Sequence, residues 1–167
     1  MGWFGKDKLK LEDMAPDLAK LVLRSIEPIK LEPLNEWGVS AENSKHRLEI
    51  LILSLFTLRS AIPHALEQDK GVTLILYVEQ LVKVSYVDVL KLGTTSEFEL
   101  TLNKRYEEYE KLDSPGATTP RIGLAFGRNI GIDDFALAHW AEMTFRRTRL
   151  TQVEFLRNIS DKFQLVC

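Results

Sequence analysis

The stretch that most limits how this chain can fold covers residues 48–66, LEILILSLFTLRSAIPHAL. Its apolar side chains occupy nearly every side of a helical wheel, which leaves no wide face for water and suits a helix wrapped by other elements. The stretch is too interrupted to span a bilayer. Its densest run, residues 50–56, is broken by Ser54 and bounded by Glu49 and Arg59, whereas a span needs roughly 20 apolar residues. Pro63 removes a backbone donor and clashes one turn back, so a kink or restart is expected there, with Gly71 ending the unit.

A second apolar stretch, 72–92, is rich in β-branched residues, and residues 82–86 alternate as a strand would. The helical template fits better. Ile75, Val78, Val82, Tyr86 and Val89 recur at spacings of 3, 4, 4 and 3, Glu79 and Lys83 pair at i,i+4 on the outside, and the segment is long for a strand. It is predicted to be a helix closed by Gly93. The segments 48–66 and 74–92 both lack a wide polar face, so they are expected to supply a central layer.

The remaining segments read as covering helices. Pro16 and Asp17 suit a helix start, followed by the stripe Leu18, Leu21, Val22 and Ile26 and stopped by Pro28. Residues 30–38 read as a loop in which Trp37 plugs the core edge, and Ser40, with Glu42 behind it, reads as the N-cap of the second helix. Ser96 and Glu99 form a capping box. Beyond it Phe98, Leu102, Tyr106, Tyr109 and Leu112 make one dry stripe, with Glu97, Lys104, Glu107, Glu108 and Lys111 on the wet side. A loop over 113–121 precedes a short irregular helix over 122–132. Asp133 and Asp134 start a helix over 135–147, and a capping box at Thr151 and Glu154 starts a last one reaching 163. The expected architecture is all-α: a compact bundle of five or six helices with two central apolar helices. Residues 1–13 form an N-terminal tail and 14–167 a single helical domain.

Composition narrows the setting. With 45% apolar and 28% charged residues the chain can build a core without a disulfide or metal staple. A net charge of -2 supplies no field toward nucleic acid or an anionic membrane. The single cysteine, Cys167, allows no intramolecular disulfide, which points to a reducing cytoplasm. Its position does not match a prenylation box, Lys6 stands where a myristoylation motif needs Ser or Thr, and no signal-peptide core follows Met1.

Chemistry-bearing residues are sparse. Glu42 and His46 stand at i,i+4, and His139 and Glu142 at i,i+3, but a two-metal bundle site needs paired Glu-x-x-His motifs, and none occurs. His139 and Glu142 fall on the polar stripe that continues to Arg146 and Arg149, which reads as a surface ion pair. Gly123, Gly127 and Gly131 lie four apart without a phosphate-loop pattern; such spacing lets two helices approach closely. The knot Phe145-Arg146-Arg147-Thr148-Arg149 is too small a basic patch, on a slightly acidic chain, to argue for nucleic acid. Cations near a helix C-terminus are stabilising in any case.

These features favour a non-catalytic helical interaction or assembly module that self-associates, as a homodimer, or docks a protein partner, because two apolar helices can leave an uncovered patch. The alternative is a small-molecule-binding or enzymatic bundle with a polar pocket near residues 128–142. Candidate binding residues are Arg128, Asp133, His139, Trp140, Glu142, Arg146, Arg147 and Arg149. No catalytic residue, metal ligand or cofactor is predicted.

Overall fold

A computed structural model describes residues 6–113 and 119–167. Strand β1 (Asp7–Lys10) runs directly into α1 (Leu11–Leu23). A 3-10 turn (Arg24–Ile26), the one-turn α2 (Pro28–Leu31) and a second 3-10 stretch (Glu32–Trp37) lead to α3 (Ser44–Ala61). After a turn at Ile62–His64 come α4 (Gln68–Val84), prolonged by a π turn (Ser85–Val89), then α5 (Thr95–Leu112), α6 (Arg121–Ile130), α7 (Phe135–Lys162) and β2 (Phe163–Val166).

The all-α class holds. Seven helices, rather than five or six, are present among the described residues. One is α2, a single turn where a loop was expected. Another difference is α7, which runs unbroken through the expected start at Thr151. The Thr151 hydroxyl bonds back to the Arg147 carbonyl at 3.2 Å instead of capping. Phe145, Gln152, Val153 and Leu156 carry one buried stripe across the junction, so packing overrides the capping signal. Most of the loop expected over 113–121 lies outside the described residues.

Caps set the helix starts, and some differ from expectation. Asn43, not Ser40, caps α3 by accepting from the N–H groups of Lys45 and His46; the Ser40 hydroxyl accepts from Glu42 instead. Thr94 caps α5 through the Glu97 N–H, which leaves Ser96 inside the first turn. Asp134 caps α7 through the Leu137 N–H, as the sequence predicts. Pro63 ends α3 in a 3-10 turn. Gly71 does not terminate that unit; it lies in the first turn of α4, where a Cβ would run into Ile62.

α3 is the hub. His46, Glu49 and Thr57 are buried on it together with nearly all its apolar residues, and it packs on α1, α5, α6 and α7. α4 corrects the idea of two central helices. Leu74, Ile75, Val78 and Val82 are buried, largely against α1, but Val72, Leu76, Tyr77, Leu81 and Val84 face outward. The expected stripe holds through Tyr86 and fails at Val89, because the π turn rotates the chain there; the Leu90 N–H reaches the Ser85 carbonyl at 2.9 Å. Lys91 then takes a left-handed φ of 51°, and the Tyr86 hydroxyl donates to the Leu92 carbonyl at 3.0 Å.

The segment read as an N-terminal tail carries β1 and the first residues of α1, with Leu11 buried. Pro16 therefore lies inside α1 instead of at its start, and Leu21, expected on the inner stripe, is exposed. β1 pairs in parallel with β2, Asp7 opposite Phe163 and Lys10 opposite Val166, which joins the two ends of the described chain.

Candidate functional site

Polar groups inside the bundle are used for construction. Arg105 on α5 makes a two-pronged pair with Glu49 on α3, Nε to Oε2 at 2.9 Å and Nη2 to Oε1 at 2.7 Å. Both side chains are buried, so each charge depends on the other. Glu108 extends the network by accepting from Asn129 at 2.9 Å. The amphipathic pattern of α5 hides Arg105, because a residue this polar one place before Tyr106 reads as exposed.

The predicted residues 128–149 are not gathered into one pocket. Asp133 and His139 are exposed. Arg128 is exposed and lies 3.6 Å from Glu108 across the surface between α5 and α6. Arg149 pairs with Asp113 at 2.6 Å and stacks on the Phe145 ring. Trp140 packs against Trp37, with ring centroids 6.4 Å apart, so Trp37 does plug the core edge. Arg147 is exposed and lines, with Trp140, a cleft between α1, α3 and α7.

Glu142 departs most from its expected surface role. Only 6% of it is exposed, and its Oε2 accepts from the N–H groups of Ile122 and Gly123 at 2.9 and 3.1 Å. Pro120, at the N-cap of α6, makes no side-chain cap hydrogen bond, so a carboxylate from α7 satisfies donors that the helix leaves open. Arg146 Nε holds the other oxygen at 2.8 Å. The approach is close because residue 123 is glycine: a Cβ there would overlap the Ala138 carbonyl. Of the three spaced glycines only Gly123 serves helix contact; Gly127 lies against the Ile132 carbonyl just beyond α6, and Gly131 ends α6 with a left-handed φ of 83°. The signal for Glu142 was its flanking by Ala138, Ala141 and Phe145 at helical spacing, which marks an inward position.

The feature that construction does not use is the outer face of α4 and its π turn. Leu76 is 58% exposed and Val89 71%, and Tyr77, Leu81, Val84 and Leu90 accompany them. Two anchors fix this helix. Lys83 bonds Glu99 at 2.8 Å, and the Tyr106 hydroxyl donates to Glu79 at 2.8 Å. Burial holds the Glu79 carboxyl above its usual range and pushes the Tyr106 phenol well up, so the phenol stays a donor. Arg59 lies over the Tyr106 ring, 4.8 Å from its centroid. At the N-terminal end of α4, Val72 and Leu76 form one wall of a groove of about 740 Å³ whose other apolar residues include Ile62, Pro63 and Leu66.

Among the described residues no group of three or more His, Cys, Asp or Glu side chains is arranged to hold a metal ion, and no helix is long and apolar enough to cross a membrane. The chain matches no protein-family model, no curated protein and no solved structure.

Proposed function

We propose that this protein is a helical assembly module, without catalytic function, that self-associates through the outer face of α4. The observation that carries the reading is the row of exposed apolar side chains, Leu76, Tyr77, Leu81, Val84, Val89 and Leu90, along one helix and its π turn. An apolar surface of this kind is stabilised by being covered. Charge supports a second copy as the cover. Asp69 at one end of the face and Lys91 at the other form no ion pair within the chain, among the described residues. A two-fold axis at Gln80 sets two α4 helices antiparallel, with Leu76 of one copy near Val84 of the other. Asp69 then approaches Lys91 at both ends. The protruding Val89 and Leu90 of each copy reach the groove beside Val72 and Leu76 of the other. Such an isologous contact closes as a dimer.

Light scattering across a dilution series tests this. A mass near twice 19.1 kDa that falls on dilution supports self-association. A strict monomer at about 100 μM contradicts it and transfers the face to a different protein partner.

A further inference from the structure

We infer that the furrow between α1 and α7, floored by α3, docks one amphipathic helix of a partner protein, apolar on the seated face and acidic on its flanks. Two observations carry this, and neither involves the α4 face. The first is incomplete covering. Leu18 and Val22 of α1 are buried, while Leu21 beside them is 48% exposed and lines the furrow. The half-buried Trp140 stands in the α7 wall, and Ile50 and Leu53 of α3, each 7% exposed, form the floor. The α7 wall extends from Trp140 to Thr151, about 16 Å at the rise of a helix, which matches three turns of an occupant.

The second observation is charge. Arg24, Lys30 and Arg147 are exposed in the lining, and none of them forms an ion pair among the described residues. No Asp or Glu lines the furrow, although the chain carries 24 of them, whereas the groove beside Val72 and Leu76 carries Glu110 and Asp113. Three unopposed cations around an apolar trough attract carboxylates on a partner's rim and repel a basic partner. The form of the occupant follows from the walls. They are helical and offer no strand edge, so an extended peptide would leave its backbone N–H and C=O groups without partners. A helix satisfies those groups internally and seats its side chains between those of its neighbours. A flat bilayer does not reach the α3 floor.

Fluorescence anisotropy of the full chain with three labelled peptides tests the assignment. The first is a three- to four-turn helix with Leu along one face and Glu on both flanks. The second replaces each Glu with Lys, and the third scrambles the first so that its helical period is lost. The expected result is saturable binding of the acidic helix with a Kd below about 300 μM, weakened by added salt, and binding about tenfold weaker or worse for the other two. Arg147→Glu, on an exposed side chain, should weaken the acidic helix about fivefold or more and narrow its advantage over the Lys peptide. Leu21→Glu should weaken it as well. Leu76→Glu combined with Val84→Glu should leave it unchanged, which separates the furrow from the α4 face. Absence of binding by the acidic helix, equal binding of the Lys or scrambled peptide, or indifference to both Arg147→Glu and Leu21→Glu overturns the inference. So does Leu21-dependent sedimentation with phosphatidylglycerol vesicles in place of peptide binding, which assigns the furrow to a membrane.

Discussion

α3 and α4 are the two apolar rods of this chain, and they end in different surroundings. α3 buries nearly all of its apolar residues and pairs its three buried polar ones: Arg105 for Glu49, the Leu53 carbonyl for the Thr57 hydroxyl, and the Ser40 N–H for His46 Nδ1. α4 is covered on one side, and its other side holds Leu76, Tyr77, Leu81 and Val84 against solvent, with Asp69 and Gln80 among them. Hydrophobic content therefore does not separate a hub from a rim. What separates them is the polar residue within the run, which on α3 is tied into the core. On α4 the charged Glu79 and Lys83 sit at the edge, where α5 supplies Tyr106 and Glu99.

The largest effect is expected from removing one half of the α3 ion pair. Glu49→Ala leaves Arg105 charged, buried and unpaired, and urea unfolding should show a loss of about 3–5 kcal/mol. A matched pair of truncations comes next. Leu51→Ala, at a fully buried site on α3, should cost about 2–5 kcal/mol by the same assay. Leu76→Ala, on the open face of α4, should stay within about 0.5 kcal/mol of wild type when measured on dilute protein. Equal costs for the two leucines would mean that the α4 face is packed within the monomer.

A smaller effect on folding, but a decisive one on association, is expected for Leu76→Glu combined with Val84→Glu. The variant should keep its unfolding free energy within about 0.5 kcal/mol of wild type at low concentration and run as a monomer at concentrations where the parent is expected to dimerise. The smallest effect belongs to His46. Burial holds its pKa below the ordinary 6.5, so the folded state disfavours the protonated ring. Its contribution is complete above that value and is lost as pH falls through the folded pKa. The melting temperature should drop more steeply between pH 7.5 and 5.5 in the parent than in His46→Asn.

The parts of the fold legible in the sequence are those set by local period. The unbroken apolar wheel of 48–61, the spacing of Ile75, Val78, Val82 and Tyr86, and the stripe from Phe98 to Tyr109 each identify a helix, because a helix records its environment every three to four residues. What the sequence hides is decided between segments. The pairing of Asp7–Lys10 with Phe163–Val166 joins chain ends through four-residue strands, too short for alternation to register. Glu142 shares a wheel position with His139 and Arg146, yet it turns inward because α6 begins without a capping side chain beside it. Arg105 is buried because Glu49, 56 residues away, waits for it. The layering of α4 was hidden for a related reason: Leu76, Tyr77, Leu81 and Val84 on its outer side blur the polar signal of Asp69, Thr73 and Gln80, and the placement of α1 decides which side is covered. Of the residues singled out for binding, Trp140 and Arg147 line a common cleft, while the remainder cap, pair or face solvent.

What covers α4 is decided by a site-specific cross-link. With Cys167→Ser removing the native thiol, Gln80→Cys places a single thiol on the proposed two-fold axis, where two copies come within disulfide reach, about 4 Å between Cβ atoms. A Lys104→Cys control carries its thiol on the exposed side of α5. Mild oxidation should convert the Gln80→Cys protein to a covalent dimer and leave the control monomeric. Equal cross-linking at both positions, or none at position 80, would contradict the two-fold contact.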